Sequence, residues 1–428
     1  MRRSNSMAWW VIATLTVTGA TPALAQEYAL PALKTDAKAN PKDATVQRKL
    51  GLAEMRAGRY KDAERTLKKA ADLNSKSPES LYDVARVSFA AGDYRGAQRA
   101  CATVSQKDKD HALAHVCKAR AFLVWNRSAR AFEELEGVLD VDPANFEALV
   151  ALGDAHRKRA SVSDAEEAYR RAVKRDPRRF EPHLGLGRLY ATLGRTADAV
   201  RELRLALAAD NDNPDVNFEL GRVLGNTAEA RDLLKHAADG RPHWDAAQTT
   251  LGHVLLALGK KEEARAAFER AIAANDSSAD AHTGFGRTLA DLGDTERAEK
   301  ELKKAIELVP NSATAAFALA ELYAQTMRTE EALQEYERAA NLDPRNPAPF
   351  LSAAKLALRL KRDVLAAAFL DRVLEVQPNL AAALALYGDV MRARSNSKDA
   401  RTYYQRALKG EGELDRPATE ESLKKLPK

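Results

Sequence analysis

Only two cysteines, Cys101 and Cys117, occur in the 428 residues, and aromatic side chains make up no more than 6% of them. So few cysteines exclude a small disulfide-built scaffold. So few aromatics argue against a thick globular core, where Phe, Tyr and Trp supply much of the buried area. The body of the chain has no stretch approaching the ~20 apolar residues that cross a bilayer, so no transmembrane span is expected in the mature protein. Also missing are a phosphate-cradling glycine loop, an H-E-x-x-H pair and a G-x-S-x-G elbow, which are marks of common catalytic sites. What remains is 45% hydrophobic and 30% charged. Usage rich in Ala, Leu, Glu, Lys and Arg suits helices built around thin, extended cores.

The formal charge of +6 is spread thinly, and no dense basic cluster accompanies the pI near 9.1. Nucleic acid is therefore not an expected partner. The N-terminus has the pattern of a secretory signal: Arg2 and Arg3, an apolar run from Trp9 to Ala20, then Ala23-Leu24-Ala25. The rival, an uncleaved anchor, is disfavoured because the run is too short to span and ends at Pro22. Residues 1–25 are read as a signal peptide cleaved after Ala25, which leaves a net charge of +4. Localisation in the periplasm or cell envelope follows as an expectation.

Self-similarity dominates the rest of the sequence. Units begin at residues 44, 78, 112, 146, 180, 214, 245, 279, 313, 347 and 381, so every step but one is 34 residues. Position 20 of the unit is alanine in all eleven, from Ala63 and Ala97 to Ala366 and Ala400. Position 8 is always Gly or Ala, position 27 is Ala or Val, and position 24 is mostly large, as in Leu67, Tyr169, Phe268 and Tyr404. Small residues at 8 and 20 let two antiparallel helices approach, while the large residue at 24 fills the space beside them. Glycine at position 15 (Gly58, Gly92, Gly194, Gly259, Gly293) suits the turn between them, and proline at 32 (Pro143, Pro177, Pro310) stops the second helix.

In period and phasing these units resemble tetratricopeptide repeats, over residues 44–414. The resemblance implies an all-α fold, a right-handed superhelical solenoid of eleven helix–turn–helix repeats. It also implies that first helices line a concave groove where protein or peptide partners bind. Residues 26–43 are expected to form a linker or short capping helix, with residues 29–39 the helical part, and residues 415–428 a tail with a brief helix near Leu423. The sixth unit is three residues short around Gly225-Asn226-Thr227. Either its first helix is shortened or its inner loop is clipped. A local change of path over residues 222–245, separating units 1–6 from 7–11, competes with a deletion of no consequence.

Cys101, at position 24 of the second unit, and Cys117, at position 6 of the third, fall where neighbouring helices pack. Two readings stand, a disulfide between units and a pair of separate buried thiols, and an oxidising compartment favours the first. His111 and His115 beside these cysteines suggest zinc, but histidine recurs at position 4 as His183 and His282 where no cysteine is near, so no metal site and no cofactor is assigned. Position 9, expected on the concave face, carries Arg86, Arg120, Arg188, Arg222, Arg287 and Lys355, with His253 among them. Such a stripe suits capture of an acidic peptide, an acidic protein edge or an anionic glycan. Asp154, Glu321 and Asp389 interrupt it, and acids at position 2 such as Glu147 and Asp215 oppose it, so a solvated face of mixed charge is the competing reading.

The function these features favour is a non-enzymatic interaction scaffold or adaptor. An envelope complex, such as a polysaccharide-export or surface-appendage machine, is the setting the family resemblance suggests. The alternatives are the repeat arm of a larger enzyme complex, and a self-assembling structural protein with Trp125 and Trp244 as contact points.

Overall fold

A computed structural model describes residues 22–427 except 75–76 and 108–110, with side chains from Leu30 onward. The expected leader therefore lies almost wholly outside the described residues. The described chain is helical and forms two compact units, one ending at Leu258 and one running from Gly259 to Lys428.

In the first unit a leading helix, α1 (Pro22–Ala39), is followed by helix pairs. The first pairs are α2 (Ala44–Arg56) with α3 (Tyr60–Leu73), α4 (Pro78–Ala90) with α5 (Tyr94–Lys107), and α6 (Ala112–Val124) with α7 (Ser128–Val141). Next come α8 (Phe146–Lys158) with α9 (Val162–Arg175), α10 (Phe180–Thr192) with α11 (Thr196–Ala209), and α12 (Pro214–Leu224) with α13 (Ala228–Gly240). The unit closes on α14 (Asp245–Ala257). The second unit runs from α15 (Lys261–Ala274) through α16 (Ala279–Leu292), α17 (Thr295–Leu308), α18 (Ala313–Gln325) and α19 (Thr329–Leu342). It continues with α20 (Pro347–Arg359), α21 (Asp363–Val376), α22 (Ala381–Ala393), α23 (Ser397–Lys409) and the short α24 (Arg416–Lys424).

Local chemistry sets these boundaries. Side chains of Asp43, Ser77, Asn145, Asn213, Ser312 and Asn346 accept hydrogen bonds from the free N–H groups at the starts of first helices, the standard N-cap role. At position 15 the backbone turns left-handed in glycines such as Gly58 and Gly194, and equally in Asn126, Ala160, Met327, Lys361 and Ser395, all near φ +60°. The sequence marks only the glycines. In the other units the packed hairpin imposes a conformation that their own side chains disfavour.

Helix contact follows the small-and-large rule. A Cβ added to Gly51 would lie 2.6 Å from Leu67, one on Gly153 2.5 Å from the Tyr169 ring, and one on Gly388 2.5 Å from the Tyr404 ring. Position 8 is therefore small because position 24 of the same hairpin fills its place. The alanines at position 20 are fully buried from Ala63 to Ala400.

The ends differ in detail from expectation. Helix α1 begins at Pro22, ahead of the Ala25–Gln26 junction and of residue 29, and buries Leu30 and Ala37 against Leu50. At the other end α24 starts earlier than Glu421, and Leu426 packs on Ala400 and Tyr404. In the sixth hairpin the inner loop keeps three residues, 225–227, while α12 has 11 residues and α13 has 13. The deletion thus shortens both helices rather than the loop. The division between compact units falls later than residues 222–245, after Leu258.

Within the first unit the chain returns on itself. The Arg241 guanidinium donates to both Asp215 carboxylate oxygens, at 3.1 and 2.7 Å, and its Nε donates to the carbonyl of Arg56 at 3.1 Å. Arg56 in turn reaches Asp210 at 3.3 Å, and α1 lies against α13. The first and sixth hairpins are thereby joined by a clasp whose central cation is mostly buried. Charge-assisted hydrogen bonds of this kind contribute roughly 1.5–3 kcal/mol each before solvent screening. Arg241→Ala is expected to lengthen and broaden the distance between spin labels at residues 59 and 239, measured by pulsed electron resonance. An unchanged distribution would show that other contacts hold the closure.

Candidate partner groove

First helices touch the next first helices in the first unit, α2 with α4, α4 with α6, α6 with α8, and on to α12. They form one wall, and position 9 of each lies on it. The stripe of cations expected there is unevenly neutralised. Arg188 Nε donates to Glu219 at 2.8 Å and Arg222 Nη2 to the same carboxylate at 2.9 Å, so these two share one largely buried acid. Arg86 meets Asp83 only at 3.4 Å, and Asp83 is already engaged by Arg48 at 2.5 Å. Arg120 approaches Glu147 at 3.7 Å, and that carboxylate accepts a closer bond from Arg179 at 3.1 Å. The Arg120 Nε is shielded from solvent and has no hydrogen-bond partner among the described residues. Burial works to lower the Arg179 pKa, but hydrogen bonds to Glu181 and Glu147 outweigh it and hold that group above the ordinary arginine range.

The longest ion pairs among these four arginines are thus those of Arg86 and Arg120, adjacent on α4 and α6. Arg188 and Arg222, which the sequence alone ranks equally with them, hold their shared acid more closely, at 2.8 and 2.9 Å. His253 is partly buried on α14. In the second unit Arg287 and Lys355 are exposed on α16 and α20. Burial there pushes the Glu321 pKa up, against the opposing field of Arg287.

The acids that interrupt the stripe have a structural cause. The Tyr169 hydroxyl donates to Asp154 at 2.7 Å, and that of Tyr404 to Asp389 at 2.8 Å. Burial, then the negative charge of Glu321, raises the Tyr336 pKa to about 12. In each of these hairpins a tyrosine at position 24 is matched by an acid at position 9. The pairing was present in the sequence and became visible only when the two helices were set side by side.

The histidines follow the same logic. His115, His183 and His282 each place Nδ1 within 2.6–2.8 Å of a glutamate nineteen residues later, Glu134, Glu202 and Glu301. Position 23 is glutamate in all three, a signal that reading position 4 alone missed. Cys101 and Cys117 are joined by a disulfide with Cα atoms 5.4 Å apart, linking α5 to α6. Both sulfurs are committed to this bond. Trp244 lies against Phe218, ring centroids 4.6 Å apart, with Arg241 over its face, while Trp125 is partly exposed at the end of α6.

The architecture is an all-α solenoid of helix hairpins, and the sequence places it further. Two family models described as tetratricopeptide repeat match the chain, one over residues 22–78, 118–179, 150–214, 184–247 and 283–347, the other over 54–121 and 224–284. The chain belongs to the tetratricopeptide repeat family, whose members generally mediate protein–protein interaction. No curated protein matches it. Among solved structures it is similar to yeast Tom70, at 12% identity over 89% of this chain and 95% of that one, with a TM-score of 0.48. It is also similar to YrrB, a TPR protein with an unusual peptide-binding site, at 23% identity over 46% of this chain and 100% of that one, TM-score 0.38. A thermophilic TPR protein of Thermus thermophilus, TTC0263, is 27% identical over 42% of this chain and 99% of its own, TM-score 0.37.

Proposed function

We propose that this protein is an exported, non-enzymatic scaffold of the periplasm or cell envelope that holds an acidic peptide segment of a partner on the inner wall of its first unit. The observation that carries the reading is the pair Arg86 and Arg120, adjacent cations whose counter-ions are shared with Arg48 and Arg179. Arginine offers a fork of donors matched to a carboxylate, and a partly shielded site strengthens the pairing. The leader-like N-terminus and the disulfide support the compartment, since such bonds persist where the surroundings are oxidising. A role in assembling an envelope complex, of the polysaccharide-export or surface-appendage kind, belongs to this proposal.

The test is binding of a fluorescein-labelled glutamate-rich peptide followed by anisotropy. Affinity is expected to fall by about tenfold or more between ~50 and ~300 mM salt, and to fall comparably in Arg86→Gln/Arg120→Gln. Arg188→Gln/Arg222→Gln, whose cations hold Glu219 closely between them, is expected to bind nearly as well as the parent. Salt-independent binding, or equal losses in both double variants, would overturn the assignment.

A further inference from the structure

The same wall carries a second chemical feature beside its cations. Position 12 lies three residues beyond position 9, on the same face of a helix with Cβ atoms roughly 5–6 Å apart. On α4 this sets Phe89 beside Arg86, and on α6 it sets Leu123 beside Arg120. Met55 occupies the corresponding place on α2, and Phe180 approaches from the start of α10. These residues line one cavity of about 390 Å³ in the first unit, at the small end of the range for ligand sites.

Its far side is formed by the clasp. Asp215 is the one acid lining it, and both of its oxygens already accept from Arg241. The cavity therefore presents cations without free counter-ions next to an apolar floor. A ligand that matches must bring a single anionic group and a bulky apolar group close together.

Resting on the acidic-peptide reading above, we infer that this cavity selects an extended peptide in which an acidic residue and a large apolar residue stand two positions apart. The spacing follows from backbone geometry. Adjacent side chains of an extended strand point to opposite faces, whereas residues i and i+2 share a face at about 6.6–6.8 Å. That separation is about an ångström longer than the Cβ spacing along α4 or α6, a difference the long arginine side chain spans. The acid meets the Arg86 and Arg120 guanidinium groups, both of which line the cavity. The apolar side chain lies on Phe89, Leu123 and Met55. Adjacent acid and apolar residues cannot satisfy both halves at once, because one of them faces away. Specificity here is thus a matter of register as well as of composition.

The experiment uses the full-length protein and fluorescein-labelled Gly/Ser decapeptides that differ in three residues. The peptide carrying Glu-Ser-Phe is expected to bind about tenfold tighter than those carrying Glu-Ser-Ala, Gln-Ser-Phe or Glu-Phe-Ser, since each of these forfeits one buried contact. Phe89→Leu, a mild change, is expected to weaken Glu-Ser-Phe alone and leave Glu-Ser-Ala as it was. Arg120→Gln is expected to weaken every peptide that contains glutamate.

Equal affinity for Glu-Ser-Phe and Glu-Phe-Ser would overturn the register. Equal affinity for Glu-Ser-Phe and Glu-Ser-Ala would remove the apolar half, while salt-dependent binding of both would leave the acidic groove standing. Decanoate displacing the peptide at concentrations equal to the peptide's own would assign the cavity to free amphipathic acids instead. Failure of all glutamate peptides at low salt would overturn the groove and the cavity together.

Discussion

Replacing Tyr169 with alanine is expected to destabilise the fourth hairpin by about 3–5 kcal/mol, the range for removing a fully buried aromatic side chain. Tyr169 has no solvent exposure and lies between two helices of successive hairpins, α8 and α10, each bearing a glycine against its ring. A Cβ on Gly153 would come within 2.5 Å of the ring, and one on Gly185 would sit at least as close. The ring thus fills space that neither glycine can reclaim, and its loss leaves a cavity rather than a collapse. Tyr169→Phe keeps the ring and removes only the bond to Asp154, at an expected cost of about 1 kcal/mol. The ratio of the two effects separates packing from hydrogen bonding.

A long repeat array does not unfold as one two-state unit, so a single melting temperature is the wrong observable. Amide exchange localised to α8, α9 and α10 reads the effect directly. Equal protection in Tyr169→Ala and the parent would mean that the neighbouring hairpins, not the ring, hold these helices together.

The second large effect is expected from the disulfide. Cys101 and Cys117 are sixteen residues apart and buried, with 2% and 0% exposure. Closing a loop of that length in the unfolded chain is worth about 3 kcal/mol in the chain-entropy account. Cys101→Ala/Cys117→Ala is expected to lose that much between the second and third hairpins, seen as faster exchange in α5 and α6 with the second unit unaffected. Cys117 lies three residues before Arg120 on α6, and α5 packs on α4, which carries Arg86, so loosening α5 against α6 is expected to weaken acidic-peptide binding as well. Thiol labelling of the denatured, unreduced protein checks the premise: two labelled cysteines would remove it.

Much of this architecture was legible because it is local. A tetratricopeptide hairpin needs a small residue at 8, an alanine at 20 and a filler at 24, and these contacts recur at fixed spacing along the chain. Helices accordingly start at Ala44, Pro78, Ala112 and the later unit starts, where the phasing places them. The pairing of position-9 acids with position-24 tyrosines, and of position-4 histidines with position-23 glutamates, was equally present in the sequence. It needed only the two helices of one hairpin to be superposed.

What the sequence could not decide is which groups meet across several hairpins. Arg241 and Arg56 are 185 residues apart and touch because of the accumulated path of the first unit, which small rotations at each hairpin set and no single repeat encodes. The same holds for charge. Arg86, Arg120, Arg188 and Arg222 occupy one repeat position and look alike in the sequence, yet Arg188 and Arg222 hold Glu219 at 2.8 and 2.9 Å while Arg86 and Arg120 stand 3.4 and 3.7 Å from their nearest acids. Coulomb energy and desolvation depend on distances fixed only by packing. The sequence by itself therefore determined the repeat, its phase and its hairpin contacts. The tertiary structure decided the closure of the first unit and which cations of the groove remain available to a partner.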